Sequence, residues 1–330
     1  MVLKAAVIGV GNMGKHHARL YSRIPSAELV AVSDLSEQLG REIAGQFSCK
    51  FYRDFREMLK KESIDVVSVV VPTRLHRDVA VACLEAGKHV LVEKPISDNI
   101  ESAKRIIETA RRKGVRLAVG HVEHFNPAVQ KLKELVDAGK LGQVTSLMAK
   151  RVGLFPPQIK DANVVIDLAT HDIGVFSYIL GKEPTKIYAS AGNALINKRE
   201  DYAEIFLGYN GTNGMIQVNW ITPVKIRNLS VTGTKGYAEL NYISQELTLY
   251  ESRYERKFGD FGDFVVKFGE PKRIEVPIEK AEPLKLELES FLRAVEKGQE
   301  PLVNGEVGLK TLEIALKAIE KSKKGDRRLQ

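Results

Sequence analysis

Over the first third of the chain, short apolar runs alternate with longer stretches whose apolar residues recur at helical spacing. The runs at 5–10, 28–33, 50–52, 65–71, 89–92 and 115–119 read as strands. The stretches at 13–21, 36–47, 55–60, 75–86 and 99–113 read as helices. Asp65-Val66-Val67-Ser68-Val69-Val70-Val71 is almost continuously β-branched, the pattern of a parallel strand covered on both faces. Gly87 and Gly114 stand where helices end in a left-handed residue. Strict alternation of the two patterns predicts an α/β domain with a doubly wound parallel sheet over 1–120.

Beyond 120 the pattern changes. A helix is expected over 126–138, started by Asn126 with Pro127 at its first position. A strand at 144–152 and a helix at 164–180 follow. Strand patterns then dominate, at 186–191, 203–208, 215–220, 226–232, 237–241 and 247–250, separated by short turns that favour antiparallel neighbours. Helices at 284–297 and 306–323 close the chain. Residues 121–330 therefore read as a second, α+β domain with a mostly antiparallel sheet. Its helices are too few to cover both sheet faces, which predicts a homo-oligomer, a dimer or tetramer, formed through the open face. The stretch 251–270, with Phe and Gly among charges, reads as a long loop over a site or an extension at an interface.

Composition narrows the class. The chain has 330 residues, 44% hydrophobic and 28% charged, as expected of a globular protein of one or two domains. No apolar run approaches the ~20 residues of a membrane span, and the chain enters a strand at once, so a cytoplasmic protein without membrane contact is expected. Cys49 and Cys83 offer neither metal-ligand spacing nor a disulfide framework, and no metal is expected. Half of the +8 net charge lies in 317–328, the pattern of a solvated helix end, and no nucleic-acid motif accompanies it.

The first candidate chemistry lies in Gly9-Val10-Gly11-Asn12-Met13-Gly14, between the first strand and the first helix. Gly9 permits the tight turn, Gly11 lets backbone approach a pyrophosphate, and Gly14 lets helix pack on strand. Phosphates would sit at the positive end of the helix. The second strand ends in Asp34, twenty residues beyond Gly14, where a carboxylate reaches a ribose diol. Leu35, Ser36 and Glu37 follow it, with no Arg to pair with a 2′-phosphate, so the expected cofactor is NAD rather than NADP.

Two further groups invite a chemical reading. Glu93-Lys94-Pro95 follows the fifth strand, and ligands of open α/β sheets sit beyond the carboxyl ends of strands, which favours function over a solvated amine for Lys94. Asp167 and His171, four apart in a helical stretch, share one face. From spacing alone they are equally a core pair tying a helix in place and a base held by a carboxylate.

Taken in order, Gly9-x-Gly11-x-x-Gly14 with Asp34, Pro72-Thr73-x-x-His76, Glu93-Lys94-Pro95 and Asp167-x-x-x-His171 resemble the glucose–fructose oxidoreductases and inositol dehydrogenases, the Gfo/Idh/MocA family. Glu282-Pro283-Leu284-Lys285 and Gly305-Glu306 also resemble it, so the likeness covers nearly the whole chain. The resemblance implies a Rossmann domain and an open-faced sheet that carries substrate and makes oligomer contacts. It implies NAD held by Gly9, Gly11, Asn12, Met13, Gly14, Asp34, Pro72, Thr73, His76, Glu93 and Lys94. It further implies catalysis by Lys94 and His171 with Asp167 assisting, on a sugar or nucleotide-sugar. A narrower likeness, through 119–128 and 151–157, is to UDP-N-acetylglucosamine 3-dehydrogenases, which places His121, His124, Asn126, Arg151 and Asn163 toward substrate, with Arg151 or another cation to anchor a phosphate. The chain departs from that pattern at His124 and Gln158, where basic residues are expected, so inositol or another free sugar stays open as substrate. A dinucleotide-sensing regulator is the non-enzyme alternative; intact Lys94, Asp167 and His171 argue against it.

Overall fold

The computed structural model describes residues 2–155, 162–196, 199–252, 254–258, 264–268 and 271–326. Its contacts divide the chain into two compact units, 1–122 with 282–313, and 123–281 with 314–330. The single break expected at 120/121 is thus incomplete, because the first unit takes back a later segment. Leu284, Leu288, Phe291 and Leu292 of that segment are buried in the same core as Val7, Tyr21 and Val32. A helical period shows that a stretch has an apolar face but not which sheet it covers.

In the first unit, β1 (Leu3–Ile8), β2 (Ala27–Ser33), β3 (Lys50–Tyr52), β4 (Val66–Val69), β5 (His89–Glu93) and β6 (Leu117–Gly120) form one sheet in the order β3-β2-β1-β4-β5-β6. Every neighbouring pair is parallel. Four-residue β4 is buried throughout, as its β-branched run requires. Helices α1 (Gly14–Tyr21), α2 (Glu37–Gln46), α3 (Phe55–Lys61), α4 (His76–Glu85) and α5 (Ile100–Lys113) make the crossovers. Strand order reverses between β1 and β4, the point where such sheets open a crevice for ligand.

The second unit begins with α6 (Pro127–Asp137), β7 (Val144–Val152) and α7 (Thr170–Leu180). It continues with β8 (Lys186–Gly192), β9 (Tyr202–Tyr209), β10 (Thr212–Asn219), β11 (Ile226–Gly233), β12 (Gly236–Asn241) and β13 (Glu246–Glu251). The stretch read as a loop contains a two-stranded pair, β14 (Tyr254–Phe258) and β15 (Phe264–Phe268), and β16 (Lys272–Glu275) follows it. Eight strands form one sheet, β16-β13-β12-β11-β7-β10-β9-β8, antiparallel except where β10 pairs with β7. The closing helices are α8 (Pro283–Glu296), in the first unit, and α9 (Gly305–Asp326), within which the two units divide.

Alternation decides the faces of the large sheet. Leu147, Ala149, Ile216 and Val218 point into a core shared with Phe176 and Ile173 of α7. Met148 and Met215, one residue out of phase, stay more than half exposed on the opposite face.

Candidate active site

The glycine turn has the expected form. Gly9 has a φ of +86°, and a Cβ there would lie 2.4 Å from the Val70 carbonyl oxygen. A Cβ on Gly14 would lie 1.8 Å from the Gly9 carbonyl oxygen, so helix and turn close only on glycine. At Gly11 the space within 4 Å is open, as a site that admits a ligand to the backbone requires. No side chain caps the start of α1, where the Lys15 and His16 N–H groups bond back to the Gly11 and Met13 carbonyls of the turn. Asp34 accepts the Val10 and Ser36 N–H groups at 2.8 Å each, which aims its carboxylate at the turn. These features fit a dinucleotide.

The other residues expected at this cofactor site divide into two groups. Pro72 opens a single 3-10 turn, Thr73–Leu75, just beyond β4, and Asn12 and Met13 are exposed in the glycine turn. His76 is instead buried, its ring nitrogens 2.9 and 2.8 Å from the carbonyl oxygens of Pro95 and Val71. It ties the loop after β4 to the loop after β5. Lys94 follows β5 directly, and its backbone N–H donates to Glu93 Oε2 at 3.1 Å.

In the second unit the expected helix over 164–180 starts differently. Residues Val165–Ala169 form a π turn, and the α-helix begins at Thr170. Such a turn adds a residue to one helical loop and recurs at functional sites. It carries Asp167, whose Oδ2 accepts the Trp220 indole N–H at 3.3 Å, and it precedes His171 by two residues. Asn163 begins this stretch by accepting the Ile166 N–H at 3.0 Å and donating to Glu200 at 3.0 Å.

Beside His171, Asp172 is fully buried and holds Arg151 through two contacts, Nε at 2.7 Å and Nη2 at 3.1 Å. Arg151 Nη1 donates to Glu123 at 2.9 Å, and the guanidinium lies 4.6 Å from the Tyr242 ring centre. Burial opposes this charge, but the Asp172 and Glu123 carboxylates outweigh it and keep Arg151 protonated. Arg151, expected as a phosphate anchor, is 4% exposed, and each of its three nitrogens donates to a carboxylate, which braces α7 from within the unit.

Asn126, also placed toward substrate, has internal partners as well. It is buried, caps α6 through the Ala128 N–H, and donates to Glu123 and the Tyr242 carbonyl. A buried amide satisfied this fully has no donor to spare. His121 and His124 are buried, and the His124 ring packs 5.3 Å from that of Tyr178. Gln158 lies outside the described residues. Sequence reading found none of the brace partners, because Asp172 and Glu123 look like ordinary surface acids until the fold buries them.

Comparison with known proteins agrees with both units. A family model described as the oxidoreductase family with an NAD-binding Rossmann fold matches residues 3–121, and one for the GFO/IDH/MocA C-terminal domain matches 129–239. The chain belongs to the Gfo/Idh/MocA oxidoreductases. Its N-terminal unit is the family's NAD-binding domain. Among its relatives is the UDP-N-acetylglucosamine 3-dehydrogenase of Acidithiobacillus ferrooxidans, 29% identical over 95% of each chain. The solved structure of that enzyme superposes with a TM-score of 0.85 at 28% identity, covering 97% of this chain and 98% of the other. The myo-inositol 2-dehydrogenase of Thermotoga maritima is 28% identical over 93% of this chain and 92% of its own. Among the described residues no helix is long and apolar enough to cross a membrane.

Proposed function

We propose that this oxidoreductase oxidises a secondary hydroxyl of a nucleotide-sugar, taking hydride from the carbon that bears it, C3 of UDP-N-acetylglucosamine. The observation that carries this reading is the likeness to the Acidithiobacillus enzyme across both units, in sequence and in fold. Bound NAD supplies the hydride acceptor. Lys94 offers a cation to the oxygen as alkoxide character develops, a contact worth more in the transition state than before it. His171 takes the hydroxyl proton. Asp167, oriented by Trp220, stands in the preceding turn to orient that base. Lys94→Ala should lower kcat by roughly 10²-fold while NAD affinity stays within threefold. Turnover within threefold of native would make Lys94 a surface amine.

Near-equal identity to inositol dehydrogenases favours a second reading, a free cyclitol as substrate. NADH absorbance with UDP-N-acetylglucosamine, UDP-glucose, myo-inositol and free aldoses separates the two. The nucleotide-sugar reading fails if only inositol or an aldose is oxidised.

The assembly we propose is a homo-oligomer through the open sheet face. Tyr188, Phe206, Met215 and Met148 are register partners on successive strands β8, β9, β10 and β7. They form an apolar row across the sheet, lining a shallow groove of about 540 Å³. A second copy burying this row would satisfy a patch that a monomer leaves in water.

A further inference from the structure

Beneath Lys94 lies a chain of buried polar groups that neither the glycine turn nor the proposed chemistry uses. His17, on α1, is fully buried. Its Nε2 is 3.0 Å from Glu93 Oε1, and its Nδ1 is 3.0 Å from Ser68 Oγ on β4. Ser68 Oγ is in turn 3.0 Å from the Tyr21 hydroxyl, one helical turn further along α1. A carboxylate only accepts, so Nε2 carries the proton toward Glu93. The remaining donors then fall into one order: Tyr21 donates to Ser68, Ser68 to His17 Nδ1, and His17 to Glu93. Each group gives one proton and none is left over.

The chain ends where the proposed chemistry begins. Glu93 Oε1 takes the His17 proton, and Oε2 takes the backbone N–H of Lys94. On its far side Glu93 is walled by Gly120, where a Cβ would lie 3.0 Å from both Cδ and Oε2. Burial would push the Glu93 carboxyl up, but the His17 hydrogen bond, with the charge and backbone N–H of Lys94, holds it below the ordinary range. Glu287 of α8 stands close enough to feel that charge, with neither oxygen hydrogen-bonded among the described residues. Burial first, and Glu93 second, hold it well above the ordinary range, so the negative charge stays on Glu93.

We propose that His17, with Ser68 and Tyr21, is a positioning residue for the reaction. It fixes the Glu93 carboxylate, and Glu93 fixes the main chain from which Lys94 extends. This rests on the reading of Lys94 as a catalytic residue. A lysine side chain is long and flexible, so its reach into a transition state depends on where its main chain is held.

The test is a mutant cycle on the full-length enzyme, with kcat measured at saturating NAD on the sugar that the panel shows to be oxidised, and NADH affinity by fluorescence. His17→Leu should lower kcat tenfold or more with NADH affinity within threefold. His17→Gln, whose amide can replace Nε2–H, should restore kcat to within threefold of native. Combined with Lys94→Ala, His17→Leu should cost less than a further twofold, since its effect passes through the missing amine. Should His17→Leu fail to fold, Ser68→Ala deletes one buried oxygen and is held to the same non-additivity. Native kcat in His17→Leu, no rescue by Gln, or an undiminished loss in the Lys94→Ala background overturns the proposal. A Lys94→Ala enzyme at native rate removes the reading beneath it, and is told apart because the cycle then starts from an active parent.

Discussion

Replacing Arg151 with methionine keeps much of the stem and removes the charge. In the native unit the guanidinium meets Asp172 at 2.7 and 3.1 Å and Glu123 at 2.9 Å, and stacks on Tyr242. The variant leaves the Asp172 carboxylate, wholly out of water, without its cation. Removing one partner of a buried ion pair costs about 3–5 kcal/mol, because the other charge stays behind. The cation–π contact adds about 1 kcal/mol. Glu123, with 14% of its side chain exposed, can turn toward solvent and recover part of this. A net loss of about 4 kcal/mol follows from these ranges. For a unit of this size each kcal/mol lowers Tm by roughly 2–4 °C, so calorimetry at pH 7 should show a fall of about 8–16 °C. The control is Arg151→Met with Asp172→Asn and Glu123→Gln, which removes the stranded charges and should recover most of the loss. A fall below about 3 °C, with a raised KM for the nucleotide-sugar, would refute the brace and restore Arg151 as a phosphate anchor.

Three other expectations follow from the same geometry. NAD should bind at least tenfold more tightly than NADP, about 1.4 kcal/mol, with Asp34→Ala narrowing the gap; equal affinities by titration would show that Asp34 does not read the ribose. Light scattering should give a multiple of 36.7 kDa, and charging the apolar row with Met148→Glu and Met215→Glu should give the monomer; a native monomer would refute the open-face assembly. Glu287, faced by Glu93 from β5 and Tyr21 from α1, has a folded pKa above its unfolded value. Its contribution to stability is therefore complete below about pH 4.3 and is lost as pH rises toward the folded value. Glu287→Gln cannot ionise, so its Tm advantage over the native protein should grow from pH 5 to pH 8; an advantage that shrinks over that range would mean the acid is ionised and paired.

How much of this was legible in the sequence depends on the range of the interaction concerned. The glycine turn and Asp34 were readable because their signal is local: a strand, two glycines and a helix within a dozen residues fix where a phosphate fits. The position of Lys94, directly after a parallel strand, was readable because the strand pattern ends at Glu93. The large sheet was readable as a set of strands, but not its order. Nothing local says that β7, the first strand of the second unit, lies between β11 and β10, or that β10 runs parallel to it.

The internal partners at the site were out of reach of the sequence for one reason. Arg151 and Asn126 were placed toward substrate by the likeness of 119–128 and 151–157 to a nucleotide-sugar dehydrogenase pattern, which says nothing of their partners within the fold. Their partners lie 21, 28 and 116 residues away. Only closure of the fold brings these partners to Arg151 and Asn126. His17 illustrates the opposite failure. It stands three residues beyond Gly14, inside the motif that the sequence made plain, yet its role depends on Ser68 and Glu93, 51 and 76 residues on. A motif explains the residues that touch the ligand. The buried polar partners that hold those residues still are chosen by tertiary contact, because a buried donor without an acceptor costs more than the hydrogen bond it would make. Beside both Lys94 and His171 the chain places such a buried polar pair, Glu93 with His17 in one unit and Asp172 with Arg151 in the other. Each borders its candidate by a single peptide bond, so its hold reaches that residue through the main chain.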